Sequence, residues 1–342
     1  MPRRDLEVGW PGFSARCARG LLRLGMAALV LGLAPRPTRG EGVDCGAGRS
    51  AVEKAVCADP ALSKLEQELS RRQDAASRQL SGDGQRLLQE GQGRWRRWVE
   101  EVCFGLRNRA GGAGCVEPLY RRRLQDLDAA AVRVGPFLFT RVDYFYALPD
   151  AERETPAHGQ TSYPHIDAAT SEAAKAWNAL AAPTTRAGSE GYCDGPGEGD
   201  LGFRVVSAAE AAISVEASEE AYCHGAPHGH GAAVGRTYLL APSVRPLEAR
   251  DLFAASTSWQ AFLTKRCFDA LNRKASGALT EADRSRVKRV VTEPRAWTLA
   301  REGLAVSMSA GSVQGYAQGS AVVTIAWADL RPYLEPGAPV PK

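Results

Sequence analysis

Apolar residues between positions 59 and 131 recur at helical spacing, which predicts three consecutive helices. Asp59 can cap the first helix, and Pro60 suits its first turn. Glycine-containing breaks at residues 81–84 and 111–114 separate the helices. The three apolar stripes are Leu62, Leu65, Leu69, Ala76 and Leu80; Leu88, Trp95, Trp98 and Val102; and Tyr120, Leu124, Leu127 and Ala131. The pattern predicts a small all-α unit, a helical hairpin extended to three helices.

Beyond Pro136 the apolar positions alternate over short stretches, which is typical of β-strands. Strands are predicted at residues 137–147, 203–207, 212–217, 237–241, 304–309 and 320–327, and helices at 168–182 and 258–271. Because strands and helices occur in blocks, we expect an α+β domain with a mainly antiparallel sheet. The two patterns together predict a helical domain at residues 43–132 and an α+β domain at residues 136–337.

The first forty residues have the pattern of an export signal. Several arginines precede an apolar run at residues 24–34, which is too short to span a bilayer but suits a signal-peptide core. We therefore expect a signal peptide at residues 1–40, cleaved near Gly40, with an uncleaved anchor as the alternative. The mature chain is expected to be periplasmic or secreted, with no membrane span.

The excess of positive charge lies in the expected signal peptide. The whole chain has a formal charge of +4, but residues 1–40 carry seven arginines and two acidic residues, so the remainder has a net charge of −1. A nearly neutral mature chain lacks the basic surface that nucleic-acid binding requires. We expect no nucleic-acid partner.

Four of the seven cysteines that follow the signal lie in the helical domain. The midpoint of Cys57 and Cys103 is residue 80, and so is the midpoint of Cys45 and Cys115. Both midpoints fall at the predicted turn of the hairpin, so we predict Cys57–Cys103 and Cys45–Cys115 disulfides, although four cysteines allow three pairings.

The other three cysteines lie in the α+β domain. Cys193 and Cys223 are centred on residue 208, at the turn of the hairpin predicted for residues 203–217. We predict a Cys193–Cys223 disulfide with Cys267 free and buried, and keep Cys223–Cys267 as the alternative.

The helical domain resembles a known family. Its four cysteines, the Gln92-x-x-Trp95 motif, Tyr120 and Arg123 are similar to the N-terminal domain of the LprI-type lysozyme inhibitors over about residues 44–130. Val99 occupies a position where that pattern has a basic residue. The resemblance implies an inhibitor of a lysozyme-like muramidase rather than an enzyme.

Short fragments occur in a recognisable order along the α+β domain, including Tyr163-Pro164-x-Ile166, Tyr222-x-x-Gly225-Ala226-x-His228 and Leu330-x-Pro332-Tyr333-Leu334. Their order is similar to that in the C-terminal domain of the RsiV anti-sigma factor family. The resemblance implies an extracytoplasmic domain that recognises lysozyme. The sigma-binding segment of that family is absent from this sequence, so no anti-sigma role is expected.

Acidic residues are concentrated between positions 187 and 235, where Arg204 is the only basic residue. Such a segment can steer a cationic protein partner, although a solvated hairpin is the plainer interpretation. The candidate partner-binding residues are Glu190, Asp194, Glu198, Asp200, Glu216, Glu219, Glu220 and His228.

A cluster of histidines offers an alternative function. His224, His228 and His230 follow Cys223 closely and could bind zinc, copper or nickel in a metal-binding or peptidoglycan-associated envelope module. The chain has no HExxH or GxSxG motif, and Ser285-x-x-Lys288 lacks the partner motifs of penicillin-binding enzymes. We therefore expect neither enzymatic activity nor a cofactor. The expected partner is a lysozyme-like muramidase.

Overall fold

The structure is a computed structural model that describes residues 43, 45–46, 50–105, 112–150, 153, 156–182, 193, 196–275, 279–313, 315 and 318–341. The signal peptide expected at residues 1–40 lies outside the described residues, as do Glu190 and Asp194.

The predicted helices are present, and a short helix precedes them. The bounds are α1 Ala51–Ala58, α2 Pro60–Ser77, α3 Gly82–Phe104 and α4 Ala113–Asp128. Ser50 and Glu53 form a capping box at the start of α1, and the side chain of Asp59 accepts hydrogen bonds from the first turn of α2. The three apolar stripes face one core, in which Leu69, Trp95 and Tyr120 are fully buried.

The disulfides of the helical part differ from the prediction. Cys45 bonds to Cys57 and Cys103 bonds to Cys115, so each bridge closes locally over twelve residues. The predicted Cys57–Cys103 and Cys45–Cys115 pairs are therefore wrong. The shared midpoint would pair these cysteines only if Cys57 extended the first long helix, but Cys57 lies in α1, on the other side of the break at Asp59.

Within the described residues, seven strands form one sheet in the order β1 to β7. The strands are β1 Ala131–Val134, β2 Phe137–Leu148, β3 Ala157–Ile166, β4 Gly197–Ala208, β5 Ala212–Cys223, β6 His230–Leu239 and β7 Arg245–Pro246. Neighbouring strands are antiparallel except β3 and β4, which pair in parallel after the helix α5 Glu172–Ala181. The mainly antiparallel sheet confirms the coarse prediction, whereas β1 and β3 were not predicted.

The β4–β5 hairpin is held at its open end by a disulfide. Cys193 bonds to Cys223, as the sequence predicts, and Gly197 pairs with Cys223 at the start of β4. Cys267 is free and buried, which is also as predicted, and burial raises the pKa of its thiol to about 12.

The C-terminal part of the chain forms a core of its own beside the sheet. Its elements are α6 Ala249–Leu252, α7 Trp259–Lys274, α8 Glu281–Val291, β8 Trp297–Leu299, β9 Gly303–Met308, β10 Ala321–Ala326 and α9 Trp327–Leu330. The strands pair in the order β10, β9, β8. Trp297 is fully buried and packs edge-on against both Phe253 and Trp259, so aromatic rings dominate this core.

Helix α3 packs directly against strand β2. The indole Nε1 of Trp98 donates a buried hydrogen bond to the carbonyl oxygen of Tyr146, at 2.8 Å. At the start of α3, the backbone N–H and hydroxyl of Ser81 both donate to the Asp167 carboxylate. The helices and the sheet are therefore joined at both ends of α3.

Candidate functional site

The β4–β5 hairpin distributes the predicted acidic residues over both faces of the sheet. Side chains alternate between faces along a strand, and directly paired residues share a face. Asp200 pairs with Glu220, and Arg204 pairs with Glu216, so these residues and Glu198 lie on one face. Glu219 pairs with Leu201 and lies on the opposite face.

Three of these acidic residues have solvent access on the same face, and we call Glu198, Glu216 and Glu220 the acidic face. The Glu198 side chain is 43% exposed, Glu216 forms a 3.1 Å ion pair with Arg204, and Glu220 is exposed. The acidic face is a patch of negative charge that a cationic surface could approach from solvent.

Asp200 lies on that face but is turned towards the helices. Burial raises the pKa of its carboxyl, and Arg122 of α4, 3.0 Å away, partly opposes this effect. Its Oδ1 also accepts a hydrogen bond from the backbone N–H of Gln160. Asp200 therefore lies against α4, where its carboxylate already contacts Arg122 and Gln160, and for this reason we leave it out of the acidic face.

Glu219 is also set apart from the acidic face. It is 7% exposed, and its Oε1 lies 3.9 Å from Nε2 of His230 on the other face of the sheet. The alternation of β5 thus separates the adjacent residues Glu219 and Glu220, which the sequence analysis grouped together.

The three histidines of the alternative metal site have different surroundings. His224 is buried, and its Nδ1 lies 2.5 Å from Asp150 Oδ2. His228 is exposed, with Nδ1 2.9 Å from the Gly229 carbonyl oxygen. Across the described part of the chain, no group of three or more His, Cys, Asp or Glu side chains has a geometry that could hold a metal ion. Because Cys223 is in a disulfide, its sulfur is not a thiolate ligand.

The turn between β5 and β6 is an exposed loop beside the acidic face. Residues 225 and 227–229 are exposed, and Gly225 has a φ of 86°, which favours glycine. The contact of His224 with Asp150 and the Cys193–Cys223 disulfide fix one end of this loop. We call residues 225–229 the exposed loop.

Apart from the cysteines, the residues that carry the resemblance of the helical part are buried. Trp95 packs edge-on against Tyr120 with the ring centroids 4.9 Å apart, and Gln92 Oε1 accepts a 3.0 Å hydrogen bond from Nε of Arg123. Val99 is fully buried, so a basic residue at this position would lie in the core. These residues form the scaffold of the helices and do not form a surface.

A buried charge network, which the sequence analysis missed, joins the helices to β2. The Asp143 carboxylate accepts hydrogen bonds from Arg123 at 2.6 Å and from Arg141 at 2.7 Å, and Arg141 lies 2.9 Å from Asp126. Burial alone would raise the pKa of Asp143, but the two guanidinium groups outweigh it and hold that pKa below its ordinary value. The signal for this network in the sequence was the presence of two charged residues, Arg141 and Asp143, within the aromatic strand β2.

The helical part of the chain matches a known family model. Residues 45–127 match the family model of the lysozyme inhibitor LprI. The match covers fewer than half of the 342 residues, so it characterises the helical part and not the whole chain. Comparison with curated proteins finds no significant match.

Among solved structures, two DUF3298 family proteins are similar to this chain. One, from Pseudomonas aeruginosa PAO1, has 12% identity and a TM-score of 0.46, and covers 60% of this chain and 98% of its own. The other, from Bacteroides fragilis, has 12% identity and a TM-score of 0.45, and covers 60% and 96%. TM-scores below 0.5 do not establish a shared fold. The expected RsiV-type domain is not identified by these comparisons.

None of the helices in the described ranges is both long enough and apolar enough to cross a membrane.

Proposed function

We propose that this chain is an exported, non-enzymatic protein that binds or inhibits a lysozyme-like muramidase. The observation that carries the proposal is the match of residues 45–127 to the LprI lysozyme inhibitor family. Three disulfides in the described residues suit an oxidising, extracytoplasmic compartment. The resemblance of residues 136–337 to the lysozyme-recognising domain of RsiV supports the same partner, and the domain limits 43–132 and 136–337 belong to this proposal.

The acidic face and the exposed loop are the surface that we assign to the muramidase. A cationic enzyme would be attracted by Glu198, Glu216 and Glu220, and attraction between complementary surfaces mainly accelerates association. The exposed loop lies beside these carboxylates and is fixed at its base by the Cys193–Cys223 disulfide, so it can enter an enzyme cleft without a large loss of conformational entropy. His228, at its tip, would then contact the cleft.

The test uses a panel of purified lysozymes with the oxidised chain, measuring binding kinetics and the hydrolysis of cell walls. We expect binding to at least one enzyme. Replacing Glu198, Glu216 and Glu220 together by Gln should slow association about tenfold at low salt and change dissociation little, because rim charges act on the encounter.

A matched triple of exposed carboxylates outside the hairpin is the control, namely Glu172, Glu302 and Glu335 replaced by Gln. If both triples slow association equally, only net charge matters and the acidic face is not the site. If no enzyme of the panel is bound or inhibited, the proposed function is wrong.

A further inference from the structure

A groove of opposite charge lies on the other face of the hairpin from the acidic face. It has a volume of about 1360 Å³ and runs between the sheet and the C-terminal part of the chain. Leu201, Phe203 and Val234 form its floor. Helix α8 and the turn that follows it form one wall, which carries Arg286, Lys288, Arg289 and Arg295. We call this the basic groove.

Cations outnumber anions along the basic groove. Its lining includes Arg236 and the four cations of the α8 wall, against the carboxylates of Glu219 and Glu293, a net charge of +3 without histidine. Arg286 pairs with Asp283 at 2.9 Å. Among the described residues, Lys288, Arg289 and Arg295 form no ion pair, and all three are exposed.

The helix dipole accounts for only part of this charge. Lys288 and Arg289 lie in the last turn of α8, where cations are favoured by the partial negative charge of the helix C-terminus. Arg236 belongs to β6, and Arg295 to the turn after α8, so neither has that explanation. Cations from three separate elements therefore converge on one apolar floor.

We infer that the basic groove binds an extended acidic segment of a partner protein, and that this partner is not the muramidase. An extended segment presents alternate side chains to opposite sides, so its aliphatic side chains can contact Leu201 and Val234 while its carboxylates reach the arginines of the wall. A strand of nucleic acid would need several aromatic platforms, whereas Phe203 is the aromatic residue of this lining. A cationic muramidase would be repelled.

The placement of the two surfaces allows both partners to bind at once. Leu201 and Phe203 alternate along β4 with Asp200 and Arg204, so the floor of the basic groove and the acidic face lie on opposite sides of the same hairpin. A partner bound in the basic groove therefore does not block the approach of another partner to the acidic face.

Fluorescence anisotropy with a labelled peptide tests the inference. The probe is a soluble peptide of about twelve residues in which glutamate alternates with valine, titrated with the oxidised full chain at low and moderate salt. We expect saturable binding that weakens as salt rises. Replacing Arg286, Arg289 and Arg295 together by Gln should weaken binding by about tenfold or more.

The control removes the same number of exposed arginines elsewhere, namely Arg97, Arg133 and Arg301 replaced by Gln. This triple should change the affinity less than about twofold, since it leaves the groove intact and alters net charge equally. Thermal melting of both triples checks that they are folded, and the single charge reversal Arg295→Glu is the substitute if the groove triple melts early.

Four outcomes would overturn the inference. The first is that the peptide does not bind, and the second is that both triple variants weaken peptide binding equally. The third is that a peptide with serine in place of valine binds as tightly, which would make the apolar floor irrelevant. The fourth is that a uronic-acid polymer binds at the groove and the peptide does not, which would make the groove a glycan site. Lysozyme binding by the groove triple should equal that of the unmodified chain, so failure of this inference is separable from failure of the proposed function.

Discussion

Neutralising Asp143 tests how the helices are held on the sheet. The side chain of Asp143 is 3% exposed, and that of Arg123 is 1% exposed. Asp143→Asn keeps the shape and removes the charge, so Arg123 retains only neutral acceptors such as Gln92 Oε1. Breaking a buried ion pair by removing one charge costs about 3–5 kcal/mol. Because Arg141 keeps Asp126 at 2.9 Å, we expect a loss near the lower end, about 3 kcal/mol.

Urea unfolding of the oxidised protein at pH 7 measures this loss. The control is Glu68→Gln, since Glu68 lies on the surface and pairs there with Arg71, whose side chain is 70% exposed, so its neutralisation should change the unfolding free energy little. Replacing Arg123 by Met together with Asp143 by Leu should be less harmful than Asp143→Asn, because no unpaired charge is left buried. A loss for Asp143→Asn no larger than that for Glu68→Gln would refute the reasoning.

The pH dependence has a defined sign. A carboxyl whose pKa is lower in the folded state contributes stability that is fully present above its unfolded pKa, near 3.9, and is lost as the pH falls through its folded pKa. The difference in unfolding free energy between the unmodified protein and Asp143→Asn should therefore be constant near neutral pH and shrink below about pH 4.

Three further predictions concern other contacts of the same structure. Asp200→Asn should not lower the unfolding free energy at pH 7, because burial raises the pKa of Asp200 and disfavours its charged form; a clear loss of stability in urea unfolding would contradict this. Gly84→Ala should lower the melting temperature, since its Cβ would lie 2.5 Å from Asp167 Oδ1, whereas Gly82→Ala, with open space around it, should not; equal shifts would contradict the contact. Peptide mapping without reduction should recover three linked pairs and no other, namely Cys45–Cys57, Cys103–Cys115 and Cys193–Cys223.

Local signals explain what could be predicted from the sequence. The apolar stripes and the cap at Asp59 act within a few residues of chain, and α2, α3 and α4 lie where these signals place them. The Cys193–Cys223 disulfide follows from the register of a single hairpin. By contrast, α1 has only Val52 and Val56 buried, too few positions for a periodic pattern, and without it the first two disulfides were assigned wrongly.

The distribution of charge over the two faces of the sheet could not be predicted without the register of the strands. A count of acidic residues treats Glu219 and Glu220 alike, but strand alternation places one in the basic groove and the other on the acidic face. The pairing of Arg123 with Asp143 joins a helix to a strand across the boundary between the two predicted domains. Neither residue type nor spacing specifies such a contact, because many charged pairs could meet across that boundary.

The burial of the LprI-like residues restricts where the proposed muramidase partner could bind. Gln92, Trp95 and Arg123 carry the resemblance to the inhibitor family, yet Trp95 packs inside the helices and Arg123 is used to hold the sheet through Asp143. A surface that recognises an enzyme must therefore consist of residues outside this motif. The hairpin that carries the acidic face lies on the sheet that Arg123 and Arg122 attach to the helices. The motif residues would then act on binding indirectly, by fixing the sheet against the helices. We therefore expect Asp143→Asn to lower the unfolding free energy while the folded protein keeps its affinity for the proposed lysozyme partner.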